Sequence, residues 1–161
     1  MKALVIYDSF FGNTEKIARA VAEGLAQSAE VSVVRVGEQP ADHLSGVELL
    51  VVGSPTRGFS ASPLLKDYLK KLPKGSLQGV RVAAFDTRFS EQRIKEFNNA
   101  LLTFLSSIFG FAAKSMAKKL AGKGGIPACE PEGFNVRESE GPLEDGELER
   151  AIGWGKKLAE R

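Results

Sequence analysis

The sequence is poor in the residues that build cross-links, metal centres and hydrolytic sites: of 161 residues, one is cysteine and one is histidine. A lone Cys129 makes no internal disulfide and reads as a small buried or half-buried residue. Cys129 and His43 together offer no metal-ligand spacing, so no metal is expected. The same shortage leaves no convincing Ser-His-Asp set, and His43, in QPADHLSG, follows the second strand-like run, away from the expected ligand rim. Neither GxxxxGK[ST] nor GxGxxG occurs, which argues against a triphosphate or dinucleotide loop. The stretch MKALVIYD has one lysine, no long apolar core and no small-residue cleavage site; the expectation is no secretory signal and a reducing, cytoplasmic location. A formal net charge of +2 and a pI near 8.7 are too mild to argue for nucleic acid. No internal repeat or low-complexity segment is present.

What is present suits one globular domain over residues 1–161, with 43% hydrophobic and 26% charged residues. Apolar runs at 3–7 (ALVIY), 31–36 (VSVVRV), 49–54 (LLVVGS) and 80–85 (VRVAAF) are mostly too uniform for one-sided strands, so they predict a parallel sheet covered on both faces. Helical patterns fall at 14–27, with Ile17, Val21 and Leu25 on one face, and at 62–72, opened by Ser62 as N-cap and Pro63 in the first turn. The link 37–47 predicts one helical turn. A fifth strand is expected at 126–136, broken or at an edge because of Pro127 and Pro131. A last helix, 144–159, puts Leu148, Ala151, Trp154 and Leu158 on one face, and Trp154 in the core. The alternation gives a doubly wound α/β fold, an open parallel five-stranded sheet with helices on both faces.

A helical insertion is expected at about 90–110. Residues 97–113 (FNNALLTFLSSIFGFAA) carry no charge, and Phe97, Leu101, Phe104, Leu105, Ile108 and Ala112 recur at helical spacing. The segment is too short and too interrupted for a membrane span. It reads as a core helix, as a lid or homodimer interface, or as a membrane-surface element. Charge is uneven: residues 86–124 hold seven Lys or Arg against three acids, and 130–150 hold eight acids against two arginines.

In an open parallel sheet, ligands bind beyond the carboxyl ends of the strands. Three loops leave those ends: SFFGNT (9–14), SPTRGFS (54–60) and DTRFS (86–90). The first offers the hydroxyls of Ser9 and Thr14, the amide of Asn13, a turn-forming Gly12 and a helix N-terminus. That set suits a phosphate monoester without a lysine. A plain turn with Asn13 or Thr14 as N-cap would use the same residues.

YDSFFGNTEKIA (7–18) resembles the phosphate-binding signature of the flavodoxin family, with Ser9, Gly12, Asn13 and Thr14 matching. VVGSPTRGFSASPLLKDYLKKLP (51–73) and VAAFDTRF (82–89) are similar to the segments flanking that family's flavin ring. The resemblance implies FMN, its phosphate on Ser9, Phe10, Phe11, Gly12, Asn13 and Thr14. It implies the ring between Ser54, Pro55, Thr56, Arg57, Gly58 and Phe59 on one side and Asp86, Thr87, Arg88 and Phe89 on the other.

Three departures stand out. Phe11 replaces a residue that is often a hydroxyl donor. Phe59 and Phe89 stand where tryptophan and tyrosine are usual. Arg57 and Arg88 replace the family's acidity. Asp86 either accepts a hydrogen bond from the ring or holds its own turn.

The implied function is electron carriage between redox partners, a protein or a small-molecule acceptor. The alternatives are an NAD(P)H-dependent quinone or flavin reductase, and an interaction module without flavin.

Overall fold

The computed structural model describes residues 1–96, 100–101 and 111–160. The elements in order are β1 (Lys2–Tyr7), α1 (Asn13–Leu25), β2 (Glu30–Arg35), β3 (Leu49–Pro55), α2 (Pro63–Lys71), β4 (Arg81–Phe89) and α3 (Glu91–Glu96). They continue with α4 (Ala112–Gly122), β5 (Ile126–Pro127), β6 (Glu132–Val136) and α5 (Glu147–Glu160). Among the described residues the strands of the sheet pair in parallel, in the order β2-β1-β3-β4, with β5 and β6 both on the far side of β4. β5 and β6 fill one strand position in two pieces, Ile126 opposite Arg81 and Glu132 opposite Phe85. Pro131, which has no N–H for the ladder, lies in the break between them.

The strands β1, β3 and β4 are buried on both faces, as their uniform apolar runs require. Alternate side chains feed two cores. Leu4, Ile6, Leu50, Val52, Val82 and Ala84 pack under α2 and α4. Ala3, Val5, Leu49, Val51, Ala83 and Phe85 pack under α1 and α5. Phe85, Phe134 and Trp154 meet edge to face, with centroids 5.9–6.2 Å apart, which puts Trp154 in the core as expected.

Three expectations need correction. β2 is an edge strand whose burial alternates, so its apolar run is not covered on both faces. The link 37–47 is a series of turns without a helical turn. In α5, Leu148 is 42% exposed and Glu147 takes the inward position instead. The reason is polar: the Glu147 carboxylate accepts from the Asn135 N–H at 2.5 Å and from Arg150 Nε at 2.9 Å, bracing α5 against β6. The uncharged run 97–113 lies outside the described residues except for 100–101 and 111–113, of which 112–113 begin α4.

Candidate functional site

β1 ends at Tyr7 and the chain turns within five residues into α1. Gly12 occupies the N-cap position at φ +89°, a left-handed conformation that a residue with a Cβ adopts at a cost. The turn closes on itself: the Gly12 N–H donates to Ser9 Oγ at 3.0 Å, and the Ser9 N–H donates to Asp8 Oδ1 at 2.9 Å. From the neighbouring strand, Arg35 Nη2 donates to the Ser9 carbonyl at 2.8 Å and reaches Asp8 Oδ1 at 3.3 Å. The loop is thus fixed from below while Phe10 and Phe11 stand out, 45% and 49% exposed. No side chain among the described residues caps α1, whereas Ser62 Oγ caps α2 by accepting the Leu65 N–H at 3.3 Å. The first-turn N–H groups of α1 therefore keep their donor capacity and the positive end of the helix dipole.

The second loop is a tight hairpin. Arg57 and Ser60 exchange both backbone hydrogen bonds, at 2.9 and 3.0 Å, around Gly58 (φ +53°) and Phe59 (φ +61°). Two successive left-handed residues make the turn that matches strand twist; glycine takes its place freely, but phenylalanine is held there under strain. Ser54 Oγ accepts the Ser62 N–H at 2.9 Å and ties the hairpin base to the start of α2. The Arg57 guanidinium lies 4.9 Å from the Phe10 ring centroid, so the first two loops touch.

In the third loop Asp86 and Arg88 form a two-pronged ion pair: Arg88 Nε to Oδ1 at 2.5 Å and Nη2 to Oδ2 at 2.9 Å. Asp86 Oδ2 also accepts the Ala113 N–H at 2.8 Å, and Thr56 Oγ1 accepts the Ala112 N–H at 3.1 Å, so both residues anchor the N-terminus of α4. Burial pushes the Asp86 carboxyl above the usual carboxylate range, against the pull of Arg88 and of its hydrogen-bond donors. Arg88 also stacks on Phe111, 3.9 Å from the ring centroid.

Between these loops lies a cavity of about 360 Å³. Of the residues singled out from sequence, Ser9, Phe10, Phe11, Asn13 and Thr14 line it, with Pro55, Thr56, Arg57, Gly58 and Phe59, and with Thr87, Arg88 and Phe89. Gly12, Ser54 and Asp86 do not line it; they hold the loops that do. For Asp86 this favours the structural alternative, because both carboxylate oxygens already have partners inside the protein. Asn13 is also engaged, its Nδ2 donating to the Glu140 carbonyl at 3.1 Å, and Thr14 Oγ1 lies 2.9 Å from Thr87 Oγ1. Ser9 Oγ accepts the Gly12 N–H, which leaves its own proton available to the cavity. His43 sits elsewhere: its Nδ1 donates to the Pro40 carbonyl at 2.8 Å, and its Nε2 lies 3.0 Å from the Tyr68 hydroxyl.

The arrangement of loops over an α/β sheet has known relatives. A family model described as Flavodoxin matches residues 5–141. The chain belongs to the flavodoxin family. It is 26% identical over 163 residues to a flavodoxin of Clostridium saccharobutylicum, spanning 100% of this chain and 97% of that protein. A flavodoxin of Aquifex aeolicus is 28% identical over 148 residues, spanning 86% and 80%. In fold it is similar to oxidised flavodoxin 1 from Bacillus cereus, with a TM-score of 0.76, 20% identity and 100% and 99% coverage.

Sequence reasoning missed part of this flavodoxin-family site. Ile94, Phe111, Val136 and Ser139 also line the cavity. Val136 and Ser139 carry a legible signal, since the fifth strand position of a doubly wound sheet also ends at the rim. Arg35 carried none: its place beneath the loop follows from the register of β2 on β1, Tyr7 opposite Arg35. No sequence signal marks Ile94 as a partner of the cavity, and Phe111 falls in the 97–113 run for which a lid was one of the expectations.

Proposed function

We propose that this flavodoxin-family protein binds FMN in the cavity beyond β1, β3 and β4 and works as an electron carrier in the cytoplasm. The observation that supports this most is the meeting of the 9–14 loop, the uncapped start of α1 and the 56–59 hairpin on one cavity of about 360 Å³. The residues fit the group. Ser9 and the first-turn N–H groups of α1 supply donors for a dianion, and the fixed turn under Arg35 keeps them aimed without a lysine. Phe59 and Phe89, with Thr87 between the loops, supply an apolar slot for a flat ring.

When bound, flavin supplies the electron-transfer chemistry itself. The protein's part is placement and field. Arg88 meets the cavity as half of an ion pair, so the charge it brings is largely cancelled by Asp86. Arg57 stands exposed at the rim, its guanidinium over the Phe10 ring. The phenylalanine side chains exclude water from one end of the site.

The test is an absorption spectrum after adding FMN and removing the excess, followed by NADH or NADPH. Retained flavin bands that persist with nicotinamide are the expected result. Rapid bleaching would favour the reductase reading, and no retained flavin would leave an interaction module.

A further inference from the structure

The two faces of the sheet differ in charge. Helices α1 and α5 carry Glu15, Glu23, Glu147, Glu149 and Glu160 against Lys16, Arg19, Arg150, Lys156 and Lys157, and so balance. Helices α2 and α4, side by side on the other face, carry Lys66, Lys70, Lys71, Lys114, Lys118 and Lys119 against Asp67 alone. Lys74 and Lys123, in the turns that follow, add two more. Asp67 is already paired with Lys71 at 2.7 Å. Lys66, Lys70, Lys119 and Lys123 line a shallow cleft of about 500 Å³ between the helices. The Lys123 ammonium donates to the carbonyls of Lys70 and Leu72, clamping α4 to the end of α2.

We propose that the α2–α4 face is the docking surface for a small acidic redox protein. The proposal rests on the electron-carrier reading above. Both helices start at the cavity: Ser62, the α2 cap, follows the 56–59 hairpin closely, and Phe111, the α4 cap residue, lines the cavity wall. The lysine rows run from that end along helices about 13 to 16 Å long. Lys66 and Lys114 stand near the helix starts, at the cavity end, whereas Lys70, Lys71 and Lys119 stand in the last turns; a partner that spans the rows reaches toward the cavity mouth, where Arg57 adds a further positive charge.

The patch is all lysine and no arginine. Lysine is a hydrated point charge suited to steering, whereas forked phosphate recognition favours arginine. A face of this size belongs with small, transient redox encounters, in which charge sets the approach rate and salt weakens it.

The test is a titration of the 15N-labelled full-length protein with an acidic [2Fe–2S] ferredoxin, read from its amide spectrum. The expected result is shift and broadening at Lys66, Lys70, Lys114 and Lys118, fading between about 20 and about 200 mM salt. Lys70→Glu/Lys119→Glu is expected to bind about tenfold more weakly at low salt. Lys70→Gln/Lys119→Gln, the milder variant, is expected to fall between.

Shifts confined to the acidic segment 138–149, no response, or equal binding by both variants would overturn the proposal. So would a response of the same lysines to duplex DNA or to phosphatidylserine vesicles but not to the ferredoxin. The amide spectrum needs no flavin, so failure of FMN binding, seen in absorption, is read separately from failure of docking.

Discussion

Phe59 is where backbone strain and the proposed flavin contact coincide, and the two can be separated by substitution. Its φ of +61° places a bulky residue in the left-handed region, and its half-buried ring lines the cavity. Phe59→Ala removes the ring and leaves a Cβ at the strained position; Phe59→Gly removes both. The two variants lose the same contact, so their affinity for FMN should fall equally. Loss of one aromatic partner and its share of burial is worth about 2 kcal/mol, or about 30-fold.

Their stabilities should differ. Glycine tolerates φ +61° and alanine does not, a gap of about 1 kcal/mol in favour of glycine even after its larger unfolded-state entropy. For a chain of 161 residues that is about 2 to 4 °C in Tm. The assay is thermal unfolding of the flavin-free variants, with an FMN titration of each. An alanine variant as stable as the glycine variant would refute the strain argument. A glycine variant with wild-type affinity would remove Phe59 from the site.

Three further outcomes follow from the packing. Asp86→Asn, which leaves Arg88 without its buried counter-charge, should lower unfolding free energy by about 3 kcal/mol in denaturant titration; a loss under 1 kcal/mol would mean the pair is solvated. Gly155→Ala should cost about 2 kcal/mol, because a Cβ there would lie 2.2 Å from the Val21 carbonyl oxygen where α5 crosses α1. Gly153→Ala, with nothing within 4 Å, should be neutral or stabilising, and equal effects would contradict the crossing geometry.

Burial raises the Tyr68 phenol above its ordinary value of about 10. Above that pH the unfolded chain releases the proton and the folded chain holds it, so stability should fall as pH rises from about 10 to 12. Tyr68→Phe should flatten that slope; an unchanged slope would assign it to another group.

The order of elements was legible because each carries its own local signal. β1, β3 and β4 read as buried strands from uniform apolar runs, and Ser62-Pro63 marked the start of α2. The broken fifth strand followed from Pro127 and Pro131 lacking N–H donors. The misreadings arose where partners far along the chain decide. β2 reads as a valine run, yet its exposed positions are the polar Glu30, Ser32 and Arg35, an alternation that fits its place at the sheet edge. Leu148 lost its inward position because Asn135 and Arg150 satisfy Glu147 there.

Loops 9–14, 54–60 and 86–90 were legible as rim segments from strand ends and family resemblance. Which residues face inward was not. Asp86 turned away from the cavity toward Arg88 and Ala113, and Arg35 came in from the next strand, both through contacts no local pattern encodes.

In the proposed site the 9–14 turn and the start of α1 hold a phosphate. Parallel titrations with FMN and with riboflavin, which shares the ring and lacks the phosphate, test it most directly. FMN should bind at least about 100-fold more tightly, the contribution of two or more charge-assisted hydrogen bonds. Equal affinities would contradict the account: the ring slot would then act alone, and SFFGNT would be only the turn that joins β1 to α1.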